Sequence, residues 1–383
     1  MKWNKIKNGL FILIFILSLA SCNNGDKDDR GWFAGEEIDN PTSAEEISTS
    51  LEDVLVKGEI INKKEVEEFY QKRDNVPAWN HYDTRKSFFQ QLQKADEEGL
   101  SFVDYHGEKL EQLLNSDLKD EERVLLEIML TDAFFEYAED LYYGKIDPNK
   151  LHEIFGVKRK EIQFPKLLHG AVVNEKIEQT LDGLKPNHQV YIGLKKSLQE
   201  YATLKEKNIA VTSIKEGEVI KPGDADERMP VLVKRLKELD LLADDYIPQD
   251  NLYDEKLTSA VTKFQDKSGL AEDGVLGNST IQLLNMDNED KYNKILLNLE
   301  RWRWFPRDLG KHYILINIPD FKLVVVKDGD TVRTHNVIAG SPTNQTPIFS
   351  DSLQYIVINP EWNIPTSIKM NEIIPKASKN PSY

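Results

Sequence analysis

The chain has 383 residues, 40% hydrophobic and 30% charged, a composition that builds globular cores and excludes both disorder along the whole length and a polytopic membrane protein. With 49 basic against 65 acidic residues the formal charge is -16, so the surface repels phosphate backbones and nucleic acid is not an expected partner. The one cysteine, Cys22, excludes an internal disulfide, a cysteine-built zinc site and an iron–sulfur cluster.

Residues 1–9 carry Lys2, Lys5 and Lys7 and no acid, residues 10–17 are an unbroken apolar run, and Ser18, Ala20 and Ser21 are small. A basic start, a short apolar stretch and small residues make a signal peptide over 1–21. The run is too short for a membrane span, which needs about 20 apolar residues. Leu19-Ala20-Ser21-Cys22 resembles the bacterial lipobox. That resemblance implies lipid attachment at Cys22 and a membrane-anchored lipoprotein of the cell envelope, facing the periplasm. Residues 22–50 are polar and acidic and read as a linker between membrane and globular body.

Residues 51–220 read as a helical domain. Leu126, Leu130, Phe134, Tyr137 and Leu141 recur at helical spacing and predict a helix from about 121 to 143, ended by Gly144 with Pro148 beyond. The histidines of this region show no metal-ligand spacing, and no metal is expected. Residues 221–286 read as a compact helical module. Val231, Leu232, Leu236 and Leu239 mark one helix. Leu257, Ala260, Val261 and Phe264 mark the apolar face of a second, with Asp254 as N-cap and Gly269 at its end. Asp273-Gly274 is a turn, and Asn278, Ser279 or Thr280 is expected to cap a third helix. From about residue 310 the pattern turns to strand. Runs at 313–318 and 321–326, an Asp328-Gly329 hairpin signal before 331–338, and a further run at 353–358 predict a β-rich domain.

The module carries Phe264-Gln265, Gly269-Leu270, Asp273-Gly274, Gly277 and Thr280, and with them it resembles the bacterial peptidoglycan-binding domain. The polar residues Gln265 and Asp273 are its candidate contacts to peptidoglycan. Residues 291–383 contain Asn298-Leu299-Glu300-Arg301, Asn317-Ile318-Pro319-Asp320, Ala339-Gly340-Ser341, Gln345-Thr346-Pro347 and Asn359-Pro360-Glu361-Trp362, and resemble the start of an L,D-transpeptidase catalytic domain. Phe69-Tyr70 with Pro77-Ala78-Trp79, Asp104-Tyr105-His106 and Gly144-Lys145-Ile146-Asp147-Pro148 resemble the scaffold domain of the same enzymes. Together these imply an α+β multidomain protein that cross-links peptidoglycan by cysteine acyl transfer between stem peptides, with stem peptides and glycan strands as partners and no cofactor. Gly340, Thr346 and Trp362 are the expected cleft-wall residues.

The resemblance also implies a histidine followed by a segment like SxGC(I/V)R, and no such segment occurs in residues 1–383. The nucleophile and its histidine are therefore expected beyond Tyr383, and the chain alone is expected to be inactive. The alternative is a non-catalytic peptidoglycan-binding envelope lipoprotein. The first is the expectation adopted, because a sheet ended after its first strands exposes an unpaired edge.

Overall fold

The computed structural model describes residues 42–380 except 58, 153, 208–209, 248, 342 and 362. The expected signal peptide, Cys22 and most of the expected linker lie outside the described residues. The chain divides into two compact units, one of residues 1–141 and 163–184, the other of residues 142–162 and 185–383. The expected helical block 51–220 is thus shared between them.

The described part of the first unit is helical: α1 (Ala44–Lys57), α2 (Lys63–Gln71), α3 (Tyr82–Gln93), α4 (Gly107–Leu114), α5 (Asp120–Tyr143), α6 (Phe164–Val173) and α7 (Ile177–Asp182). The expected linker ran to residue 50, and α1 corrects its end. Ile47, Leu51 and Leu55 recur every four residues and are buried, so the segment has an apolar stripe to hide. The helix expected at 121–143 is α5, and Gly144 follows it at φ +82°. Its core role is wider than one face, for Arg123, Glu127, Asp132 and Asp140 are buried as well. The three acids among them are matched. Glu127 accepts from Tyr70 Oη at 2.9 Å and from the Trp79 N–H, while Thr131 Oγ1 accepts from Trp79 Nε1 at 2.9 Å. Asp132 accepts the backbone N–H groups of Ile61 and Asn62 at 2.9 and 2.8 Å and pairs with His106 Nε2 at 2.7 Å. Tyr105 Oη donates to Asp140 at 2.7 Å. The aromatic motifs thus converge on the polar face of α5, and Trp79 stacks on Phe88 at 5.1 Å.

The second unit holds α8 (Gln189–Glu206), α9 (Met229–Glu238), α10 (Glu255–Lys267), α11 (Asn278–Asn285) and α12 (Asn288–Arg303). It also holds strands β1 (Phe155–Gly156), β2 (His312–Asn317), β3 (Lys322–Lys327), β4 (Asp330–Asn336) and β5 (Ile348–Phe349). Helices α8 and α12 share a core of Tyr191, Leu198 and Leu299. A capping box between Asp287 and Asp290 starts α12. At its other end Glu300 accepts the Ile146 N–H at 2.9 Å and Trp304 Nε1 at 3.1 Å. The Gly144–Pro148 and Asn298–Arg301 motifs therefore meet.

Strands β2, β3 and β4 form an antiparallel sheet in that order. Asp328 and Gly329 both take positive φ, as a two-residue hairpin of the favoured hand requires. The strand expected at 353–358 is absent. Leu353, Tyr355, Ile356, Val357 and Ile358 are exposed, and no described segment offers them a ladder. Strand composition supplies propensity, but a strand needs a hydrogen-bonded neighbour. The short parallel pairing of β1 with β5 was not expected. Among the described residues no helix is long and apolar enough to cross a membrane.

Candidate functional site

The 221–286 module closes around a core of Met229, Leu232, Leu236, Tyr253, Leu257, Val261, Leu276, Ile281 and Leu284. Helices α9, α10 and α11 supply most of it by periodicity of 3.6. Asp254 caps α10 as expected, with Oδ1 accepting the Leu257 N–H at 2.9 Å. Its Oδ2 accepts from Tyr246 Oη at 2.8 Å. Burial works to raise the Asp254 carboxyl, yet these hydrogen bonds outweigh it and hold the group below its ordinary value. Burial, with the bond to Asp254, pushes the Tyr246 phenol up to about 12. The cap of α11 differs from expectation. Gly277 occupies that position without a side-chain bond, and the Thr280 hydroxyl accepts instead from Gln265 Nε2 at 3.3 Å.

Gln265 and Asp273 come together, as a structural pair. Gln265 is 2% exposed. Its Nε2 donates to Asp273 Oδ1 at 2.9 Å and to the Val275 carbonyl at 3.0 Å, and its Oε1 accepts the Gly274 N–H at 2.9 Å. Every polar atom of the amide is therefore committed, so the expectation of Gln265 as a ligand contact is corrected to that of a clamp on the turn. Asp273 is exposed, and its Oδ1 also accepts the Val275 N–H at 2.9 Å.

Near this turn lies a groove of about 750 Å³, one wall of which is the 252–254 segment. Gly274 sits at φ +66°, and a Cβ there would lie 2.8 Å from Thr258 Cγ2 and 3.2 Å from Thr262 Oγ1. The turn thus lies directly against α10. A second wall is the 220–225 loop, tied down by Gly223 N–H to the Tyr253 carbonyl at 2.9 Å and Tyr253 N–H to the Asp224 carbonyl at 2.8 Å. The floor is the polar stripe of α10: Glu255, Thr258, Ser259, Thr262 and Lys263, with Pro222 and Leu252 beside it. Sequence reasoning passed over this stripe. Its signal was present, since these positions stand at i, i+3, i+4, i+7 and i+8, opposite the apolar face.

In the β-rich region Gly340 and Thr346 also come together. The Gly340 N–H donates to Thr346 Oγ1 at 2.7 Å, closing a loop whose inner turn has Asn344 N–H on the Ser341 carbonyl at 3.0 Å. A Cβ on Gly340 would overlap the Asn344 carbonyl oxygen, so this close approach requires glycine. Trp362 lies outside the described residues. His312 and His335 are exposed on β2 and β4. Among the described residues no group of three or more His, Cys, Asp or Glu side chains is arranged to hold a metal ion.

Three family models match the chain: "Scaffold domain" over residues 64–198, "Putative peptidoglycan binding domain" over 226–284 and "L,D-transpeptidase catalytic domain" over 311–383. The chain is 33% identical over 119 residues to a curated protein of Haemophilus influenzae described as "Putative L,D-transpeptidase". That match covers 30% of this chain and 24% of the relative, so it spans about a quarter of the relative's length. Apart from Pro222 and Gly223, the groove lies within the segment similar to the peptidoglycan-binding family, and the β2–β3–β4 sheet lies within the segment similar to the catalytic family.

Proposed function

We propose that this protein acts in the bacterial cell envelope as a lipoprotein held by lipid at Cys22, and that it serves the cross-linking of peptidoglycan by L,D-transpeptidation. The observation that carries the reading is the co-occurrence, in one chain and in this order, of segments similar to the scaffold, peptidoglycan-binding and L,D-transpeptidase families.

The reaction needs a cysteine thiolate to attack a stem-peptide carbonyl. The amide bond to the terminal D-residue breaks, that residue leaves as a free amine with a proton, and a thioester forms. An amine of a second stem then displaces the thiol and closes a 3–3 cross-link. Backbone N–H donors hold the oxyanion at each step. Residues 23–383 contain no cysteine, so the reading assigns acyl transfer to residues outside this chain. The chain's own share is to hold the wall and to begin the catalytic sheet. Reading the coding sequence past the Tyr383 codon tests this. An in-frame histidine followed by SxGC(I/V)R is the expected result, and a stop codon there would contradict the enzymatic half of the reading.

One observation favours a second reading, a non-catalytic wall-binding lipoprotein. The 221–286 module builds a closed core from its own helices and nearby residues, so wall binding by it needs no residue of the β-rich region. This reading expects the stop codon, together with retention of the chain on sacculi.

A further inference from the structure

The α10 groove differs in chemistry from a sugar platform. Its one aromatic residue, Tyr253, is fully buried, with its hydroxyl donating to the Gly274 carbonyl at 2.8 Å, so no ring face is offered to a pyranose. The floor presents the methyl groups of Thr258 and Thr262 beside Pro222 and Leu252. The two threonine hydroxyls spend their protons on the carbonyls of Asp254 and Thr258, at 2.8 and 2.9 Å, so toward a ligand they act as acceptors. Ser259 remains available as a donor.

At the two ends stand Glu255 and Lys263, opposite charges eight residues apart on one helix face, about 12 Å along the axis at 1.5 Å per residue. Neither is among the residues held by a neighbouring charge in the described structure. A ligand matching this pattern has an ammonium at one end, a carboxylate at the other, amide N–H donors between them and small apolar side chains facing the floor. That is a short zwitterionic peptide rather than a neutral N-acetylated disaccharide.

We propose that this groove binds the peptide portion of peptidoglycan, with Glu255 meeting the free amine and Lys263 the carboxylate of a stem peptide. The proposal rests on the wall-binding reading and names the part of the polymer recognised. Gln265 and Gly274 act as positioning residues, holding the turn against Thr258 and Thr262 so that the groove keeps its shape.

The test is calorimetric titration of the purified chain with two probes, a free stem tetrapeptide and the peptide-free disaccharide, at low and moderate salt. The tetrapeptide is expected to bind, with affinity falling as salt rises, and the disaccharide is not. Lys263→Glu and Glu255→Lys are each expected to weaken tetrapeptide binding at least tenfold with an unchanged melting temperature. Glu255→Gln serves where Glu255→Lys disturbs the start of α10. Binding of the disaccharide in place of the tetrapeptide, or unaltered tetrapeptide affinity in the charge variants, overturns the proposal. Failure of the tetrapeptide while intact sacculi still retain the chain overturns the peptide assignment and leaves wall binding standing. Loss of sacculus retention by the unaltered chain overturns both.

Discussion

Gln265 has no polar atom left over for a ligand, and its value lies in what its removal would orphan. Gly274 N–H is buried with Gln265 Oε1 as its acceptor. Gln265→Ala leaves that donor unpaired and releases Asp273, at a cost of about 1–3 kcal/mol for a buried group stripped of its partner. Protection of the α10 and α11 amides from hydrogen exchange measures this, and unchanged protection would contradict the clamp. Asp254 carries a pH dependence. Its folded carboxyl is held below the ordinary 3.8 by the Leu257 N–H and the Tyr246 hydroxyl. A lowered folded value means that the stability it contributes is present above about pH 3.8 and lost as pH falls through the folded value. Protection of α10, corrected for intrinsic exchange rates, is therefore expected to fall below about pH 4 in the native chain. In Asp254→Asn, which can still cap, that acid limb is expected to disappear; its persistence would place the titrating group elsewhere.

At the scale of elements, what was legible was local. Helix α10 follows from four apolar positions and a cap residue one place before it, and the 328–329 hairpin from an Asp-Gly pair. Helix α5 was placed by one apolar face, but its buried Glu127 and Asp132 were not foreseen, because their partners at 61–62 and 78–79 are distant in sequence. Pairing of β1 with β5 and the absence of a strand at 353–358 were not legible for the same reason, since ladders are made with remote segments. The α1 stripe of Ile47, Leu51 and Leu55 is legible as a spacing of four, but its acidic neighbours give the segment the composition of a linker. Gly340 and Thr346 stand out in the sequence one by one, but the hydrogen bond between them was not legible. The Glu255–Lys263 stripe was hidden because a polar stripe opposite an apolar face is what any solvated amphipathic helix shows. Helix α12 makes its own prediction through Gly144, at φ +82°, where a Cβ would strike the Glu300 carboxylate that receives the Ile146 N–H. Gly144→Ala is expected to lower stability by about 2 kcal/mol, combining left-handed strain with a displaced buried acceptor. Urea unfolding measures it, and a loss under about 0.5 kcal/mol would mean that Glu300 moves aside freely.

For the whole molecule, segments similar to three domain families occur in one chain, yet the compact units do not follow those segments. The match to the scaffold family, 64–198, runs through parts of both units. Residues 142–162 belong to the unit that contains Glu300, and the Ile146–Glu300 hydrogen bond is one physical reason. The 221–286 module, by contrast, gathers its core from its own helices and nearby residues. A substitution that breaks only that core should therefore remove wall binding. Leu257 is fully buried there, and Leu257→Asp forces an unpaired charge into it, a change expected to unfold the module.

Co-sedimentation of the purified chain with isolated sacculi tests the central claim most directly. The account predicts that the native chain pellets with the sacculi and that Leu257→Asp stays in the supernatant. A native chain left in the supernatant, or a Leu257→Asp chain that pellets as well as the native one, would contradict it.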